Sequence, residues 1–212
     1  MRLYSFFRSS AAYRVRIALN VKGVAYETVS VNLPGAAHLA AEFRALNPQA
    51  TIPTLDDDGT ILWQSLAIIE YLDARYPTPR LIPAEPVARA RVQALAQLIA
   101  CEIHPLNNLR VLQHLKRVLG QNEEQINAWY RHWIADGLTK FEADLATGGT
   151  SGKFCHGDSP TMADCCLVPQ IFNAQRYQCD TAPYPATMRI FAECMKLEAF
   201  DRAQPSKQPD AE

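Results

Sequence analysis

Four prolines fall within the eleven residues YPTPRLIPAEP, at positions 77, 79, 83 and 86. Each removes a backbone donor and fixes φ, so this stretch excludes regular helix and central strand. It reads as an ordered linker that separates two kinds of sequence. Before it, Arg2–Phe6 and Tyr26–Asn32 (YETVSVN) carry the alternating or β-branched apolar residues of strands. Between them, Ser10–Lys22 reads as a helix with Val15, Ala18 and Leu19 in one stripe, widened by Ile17 and Val21 and stopped by Gly23. Two strands joined by a crossover helix make a βαβ unit, whose strands are parallel. A short helical segment at about Leu39–Leu46 follows; then Thr54–Asp56 and Ile61–Trp63 flank the turn DDDG, and a third helix runs from Ser65 to about Arg75.

After the prolines the periodicity is helical. Val92, Leu95, Ile99 and Ile103 form one stripe and Val111, Leu112, Leu115 and Leu119 another, with Pro105 between them predicting a kink. There are no internal repeats, and the closing QPSKQPDAE is expected to be frayed. The expectation is an α/β plus all-α chain: a β-α-β-α-β-β-α domain over residues 1–80 and an all-helical domain over residues 87–212.

A formal charge of −1 on 212 residues gives neither nucleic acid nor an anionic membrane reason to be the main partner. No apolar run reaches the roughly 18 residues needed to span a bilayer, and MRLYSFFR does not read as a signal peptide. Cys101, Cys155, Cys165, Cys166, Cys179 and Cys194 show no CxxC and no paired metal-ligand spacing, so structural zinc is not expected. Cys101, Cys165 and Cys166 lie in helix-like apolar sequence, where a reduced cysteine acts as a small hydrophobe; a reducing cytoplasm is the simplest setting.

Four motifs bear on chemistry. In FFRSSAAYRVRIAL, Arg8 precedes two serines, Ser9 and Ser10, where a helix begins, and no cysteine or histidine lies nearby. Such a site offers a hydroxyl and an anion grip but no nucleophile, which points to a nucleophile brought by a cofactor. In ATIPTL, Pro53 stands just before the third strand, a place where proline is tolerated. Gln64-Ser65 opens the third helix: the serine is either a plain cap or part of a helix N-terminus that binds a carboxylate. In GDSPTMAD, Thr161 and Asp164 form a capping box, a folding signal with no catalytic role.

In order and over essentially the whole chain, these segments resemble a cytosolic glutathione transferase: a thioredoxin-like half in which Pro53 is cis, a proline-rich linker, a helical half and the capping box. SSAAYRVRIAL is similar to the zeta-class signature SSCxWRVRIAL, and ALNPQATIPTL, QSLAIIEYLDARYPTPRLIP and LVPQIFNAQRYQCDTAPYP resemble the same class. Two positions depart from it: the family cysteine is Ala11 and its tryptophan is Tyr13, so a mechanism requiring that cysteine is excluded.

The resemblance implies a glutathione-dependent cis-trans isomerase. The substrate would be maleylacetoacetate or, alternatively, maleylpyruvate; a general transferase acting on small electrophiles such as α-haloacids is a further alternative. A non-catalytic binding protein of the same fold is the reading from another class. The thiolate of glutathione would add to the alkene carbon conjugated to the carbonyl, and rotation about the resulting single bond would precede its loss. A free thiol has a pKa of about 8.5, and lowering it by two units takes roughly 2.7 kcal/mol of preference for the anion. Ser9 or Ser10 with the helix N-terminus would supply it, Ser9 being the family's activating position; the alternatives are that both serines only cap the helix, or that Tyr4 is the thiol partner. Ile52, before Pro53, would pair its backbone with the cysteinyl residue of glutathione, and Gln64 and Ser65 would hold its γ-glutamyl carboxylate. His38 and Gln49 resemble positions at the glycyl end, though His38 also reads as a plain surface residue. His104 and Asn108, four apart on one helix face, would lie near glutathione or else stabilise the kink. Arg8, Arg110 and Arg176 resemble cations of the substrate pocket. By the same analogy the protein would be a two-fold homodimer.

Overall fold

The computed structural model describes residues 1–211; Glu212, which ends the QPSKQPDAE stretch, lies outside them. The chain divides into two compact units, one formed by Met1–Ile82 with the chain from Met195 onward, the other by Pro83–Cys194.

The first unit opens as the sequence predicts. β1 (Arg2–Ser5), α1 (Ser10–Val21) and β2 (Glu27–Ser30) form the βαβ element, with β1 and β2 parallel and Leu3 opposite Thr28. A 3₁₀ turn (Ala37–Leu39) and α2 (Ala41–Leu46) lead to the hairpin of β3 (Thr54–Asp57) and β4 (Thr60–Trp63). Asp58 and Gly59 both have positive φ, the two-residue turn whose twist suits a hairpin. Asp56 reinforces it by accepting the Gly59 N–H at 2.8 Å. The sheet order is β2-β1-β3-β4, with β3 antiparallel to both neighbours. α3 (Ser65–Arg75) packs against α1.

The start of the proline-rich stretch belongs to this unit rather than hanging from it. Leu81 and Ile82 are buried. Asp73 accepts the Leu81 N–H at 2.7 Å and binds Lys22 Nζ at 2.6 Å, while Lys22 also donates to the carbonyl of Tyr76.

The second unit is helical. Pro86 is the first residue of α4 (Pro86–Gln97), where its missing N–H costs nothing, and the Glu85 carboxylate caps the Val87 and Ala88 N–H groups. The helix continues as a π-helical segment, Leu98–Ile103, and then stops. Pro105 therefore lies in a break, not in a kinked continuous helix. The chain restarts as α5 (Leu109–Arg117) with Asn108 as N-cap. Two bonds tie the break to α6 (Glu123–Thr147): Trp129 Nε1 donates to the Leu106 carbonyl at 2.9 Å, and the side-chain Asn107 Nδ2 donates to the Tyr130 carbonyl at 3.2 Å. A Cβ on Gly137 would fall 2.2 Å from Ile103, so glycine is what lets α6 approach the π segment. α7 (Met162–Arg176) and α8 (Pro185–Met195) complete the unit.

α9 (Glu198–Asp201) returns to the first unit and packs on α1, with Asn20 Nδ2 donating to Ala199 O at 2.9 Å. The predicted fraying of the closing stretch does not hold over residues 204–211. Pro205 is buried in a 3₁₀ turn, and Asp210 accepts the Phe7 N–H at 3.0 Å. α1 is also more enclosed than its apolar stripe implies, because Arg14 and Arg16 are buried with it. Arg16 is satisfied by neutral oxygens: Nε donates to Ala203 O at 3.0 Å, Nη1 to Ser5 Oγ at 3.1 Å and Nη2 to Phe7 O at 3.0 Å. Burial lowers its pKa to about 10, which still leaves it charged at neutral pH.

Candidate active site

Ser9 is the N-cap of α1, and its Oγ accepts the Ala12 N–H at 3.2 Å. A hydroxyl has two lone pairs and one proton, so capping the helix leaves its O–H able to donate. The first turn of α1 holds no acidic residue, so the positive helix end is not neutralised. Ser10 is the first residue of the helix. The Arg8 guanidinium lies over the Phe7 ring at 4.8 Å, and no carboxylate among the described residues pairs with it. Tyr4 sits in β1 with its ring edge-on to Phe43 at 6.0 Å, a packing role.

The Ile52-Pro53 bond is cis. Next to it, the Gln64 Nε2 donates to Gln49 Oε1 at 3.3 Å, so the structure brings two of the singled-out amides together. Ser65 is not the cap that its type suggests. Gln64 holds that position, at φ +69 and with no side-chain capping bond, and Ser65 begins α3. The Ser65 hydroxyl is buried and accepts from Arg14 Nη1 at 3.2 Å, which turns its own proton elsewhere. α3, like α1, has no acidic residue in its first turn. His38 lies in the 3₁₀ turn with Nδ1 buried and without a partner among the described residues. Burial and then Arg44 lower its pKa, favouring the neutral imidazole.

On the helical unit, Asn108 Nδ2 and His104 Nε2 are 3.4 Å apart, so the two meet although no continuous helix face carries them. Asn108 Oδ1 caps the Arg110 N–H at 3.2 Å, and the Arg110 side chain is exposed. Arg176, exposed at the end of α7, lies over the Tyr177 ring at 5.2 Å. Tyr177 stacks in turn on Tyr130 with centroids 3.5 Å apart.

Two family models match the chain: the glutathione S-transferase N-terminal domain over residues 3–80 and the C-terminal domain over residues 110–193. This chain belongs to the glutathione S-transferase family. A maleylpyruvate isomerase of a Ralstonia species is 49% identical over 100% of both chains. A probable maleylacetoacetate isomerase of Vibrio cholerae is 50% identical, with 99% of this chain and 97% of that protein covered. Among solved structures, a holo maleylpyruvate isomerase, described as a zeta-class bacterial glutathione S-transferase, superposes with a TM-score of 0.98 at 48% identity over 100% of both chains. A maleylacetoacetate isomerase from Methylobacterium extorquens AM1 with bound malonate and glutathione gives 0.94 at 41% identity, again over 100% of both. The chain is of the zeta class, and glutathione is its cofactor.

The residues of this transferase fit that cofactor. The uncommitted Ser9 hydroxyl suits a thiolate, two helix N-termini without acids suit anionic groups, and the orphaned His38 Nδ1 lacks a partner that a ligand can provide. Arg14 escaped the sequence reading: its partner Ser65 is 51 positions away, and nothing local marks Arg14 as buried.

Proposed function

We propose that the chain is a glutathione-dependent cis-trans isomerase converting maleylacetoacetate to fumarylacetoacetate. The observation that carries this is the N-terminus of α1, where Ser9 caps the helix while keeping a proton to donate and no acid opposes an anion. Full-length relatives bearing this activity in their names support it, as does a relative holding glutathione together with the dicarboxylate malonate. Bound glutathione supplies a thiol nucleophile for reversible addition to the alkene.

The chain's own groups do the rest. Ser9 donates its O–H to the sulfur and, with the helix N-terminus, holds it as thiolate, a preference of roughly 2.7 kcal/mol for a two-unit shift. Ser10 is a second contact. The Ile52 backbone beside Pro53 pairs with the cysteinyl residue. Gln64 and Ser65 hold the γ-glutamyl carboxylate at the mouth of α3, the bond from Arg14 leaving Ser65 as a donor. His38 and Gln49 take the glycyl end. His104 and Asn108 are assigned to glutathione from the helical unit. Arg8, Arg110 and Arg176 take the substrate's carboxylate and the negative charge that builds on its carbonyl oxygen. Arginine suits this because its fork binds carboxylates bidentately and its charge persists. Arg8 and Arg176 rest on aromatic rings.

A second reading, maleylpyruvate as substrate, is favoured by the 49% identity over the full length of a maleylpyruvate isomerase. Half-exposed Trp63 on edge strand β4 accords with a homodimer, and six free cysteines accord with the cytoplasm. Turnover of both substrates with and without glutathione tests the assignment. Isomerisation is expected only with glutathione, and the larger kcat/KM names the substrate. Turnover undiminished without glutathione, or turnover of α-haloacids alone, would sink it.

A further inference from the structure

We propose that Asp210 is a positioning residue for Ser9 and Arg8. The inference rests on the reading of Ser9 as the thiol's partner. Between β1 and α1 the chain runs through Phe6 and Phe7 directly into Arg8 and Ser9. Distant parts of the unit hold the Phe7 peptide groups: the N–H donates to Asp210 Oδ2 at 3.0 Å, and the carbonyl accepts from Arg16 Nη2 at 3.0 Å. Phe6 O accepts the Ser9 N–H at 2.9 Å and Arg16 Nη1 at 3.5 Å, so the same scaffold reaches the capping serine itself. The ring of Phe7 carries the Arg8 guanidinium and packs edge-on against Phe6 at 4.7 Å.

Asp210 is held at some cost. Its second oxygen, Oδ1, is buried with no partner among the described residues. The carboxylate makes one charge-assisted bond, to the Phe7 N–H, and lies within reach of the Arg16 charge; Phe7 is only 7% exposed, so water is a poor substitute for that bond. The aim of the Ser9 hydroxyl thus depends on a residue 203 positions from Phe7.

Positioning and direct electrostatics predict opposite signs. A carboxylate acting by charge alone disfavours a nearby thiolate, so removing it would lower the thiol pKa. A carboxylate that aims Ser9 favours the thiolate, so removing it raises that pKa. In the full chain, Asp210→Ala is expected to raise the pKa of bound glutathione, read from ultraviolet thiolate absorbance against pH, and to cut kcat about tenfold. The KM for glutathione should change less than about twofold, because Ile52, Gln64 and Ser65 are untouched. Asp210→Asn, which keeps an acceptor oxygen, should recover most of the loss. An unmoved or lowered thiol pKa in Asp210→Ala overturns the proposal. If that variant does not fold, Asp210→Glu decides in its place: the added methylene should displace Phe7 and raise the thiol pKa, and any other result overturns the proposal. Ser9→Ala measured alongside separates the two ideas. If Ser9→Ala leaves the thiol pKa unmoved, thiol activation by Ser9 fails. If it raises that pKa and Asp210→Ala does not, only the positioning role fails.

Discussion

α1 and α7 both begin on a hydroxyl residue, and they use it in opposite ways. At α7, Asp164 stands three positions after Thr161; its Oδ2 accepts the Thr161 N–H at 2.7 Å and the Thr161 hydroxyl at 2.8 Å, and its Oδ1 accepts the Cys155 N–H at 2.9 Å. Burial pushes the Asp164 pKa up, and the bonds from Cys155 and Thr161 pull it back. The cluster is closed, dry and spent on folding. At α1 the corresponding position is Ala12, and the cap keeps a proton to give. The same contrast separates α3 from α6: no acid opens α3, whereas α6 has a capping box from Asn122 and Gln125 with Glu123 and Glu124 between them. On the proposed assignment, α1 and α3, the two helix ends that would receive an anion, leave out the acid that would complete a capping box.

Ser9→Ala should lower kcat/KM by about 10²-fold, the scale for losing one donor to a developing anion. It should also raise the thiol pKa of bound glutathione and cost only about 1 kcal/mol of stability for the cap. Steady-state kinetics and urea denaturation of one preparation measure both. Asp164→Ala should show the reverse profile: about 3 kcal/mol of stability lost, since buried N–H groups are orphaned, with the KM for glutathione unchanged. A KM change comparable to the stability loss would break the comparison. Ala67→Glu restores an acid at the third position of α3, where Ala67 is exposed. Glutathione should then bind about tenfold more weakly by calorimetry, roughly 1.4 kcal/mol, while the fold gains about 0.5 kcal/mol from the helix dipole. Unchanged affinity would show that the empty helix mouth does not matter to binding. The smallest effect belongs to Asn122→Ala, about 1 kcal/mol of stability with no kinetic consequence.

These contrasts also show what local sequence carries. The parallel βαβ start, the hairpin at DDDG and the Thr161–Asp164 box were legible because each is written within a few neighbouring residues. The positions proposed to face glutathione rest on the resemblance of whole blocks to one class. What escaped depends on distant partners or on backbone angles. Arg14 and Arg16 fall outside the apolar stripe of α1, yet both are buried, because Ser65 and Ala203 await them 51 and 187 positions away. Ser65 has a capping residue's chemistry, but the positive φ of Gln64 decides where α3 begins. Pro105 predicted a bend; the chain breaks instead, with Trp129 satisfying the Leu106 carbonyl and the Asn107 side chain tying the break to Tyr130 on α6.

The bond from Arg16 to Ala203 has a consequence for the order of events in the cell. A ribosome delivers the whole sheet, and every glutathione contact assigned to the first unit, more than a hundred residues before Ala203 emerges. Until then the guanidinium inside α1 lacks one of its acceptors, and the loop before Ser9 lacks Asp210. The thioredoxin-like half therefore leaves the exit tunnel first and is finished last, so translation that stops at the proline-rich stretch yields a fragment without its final clasp.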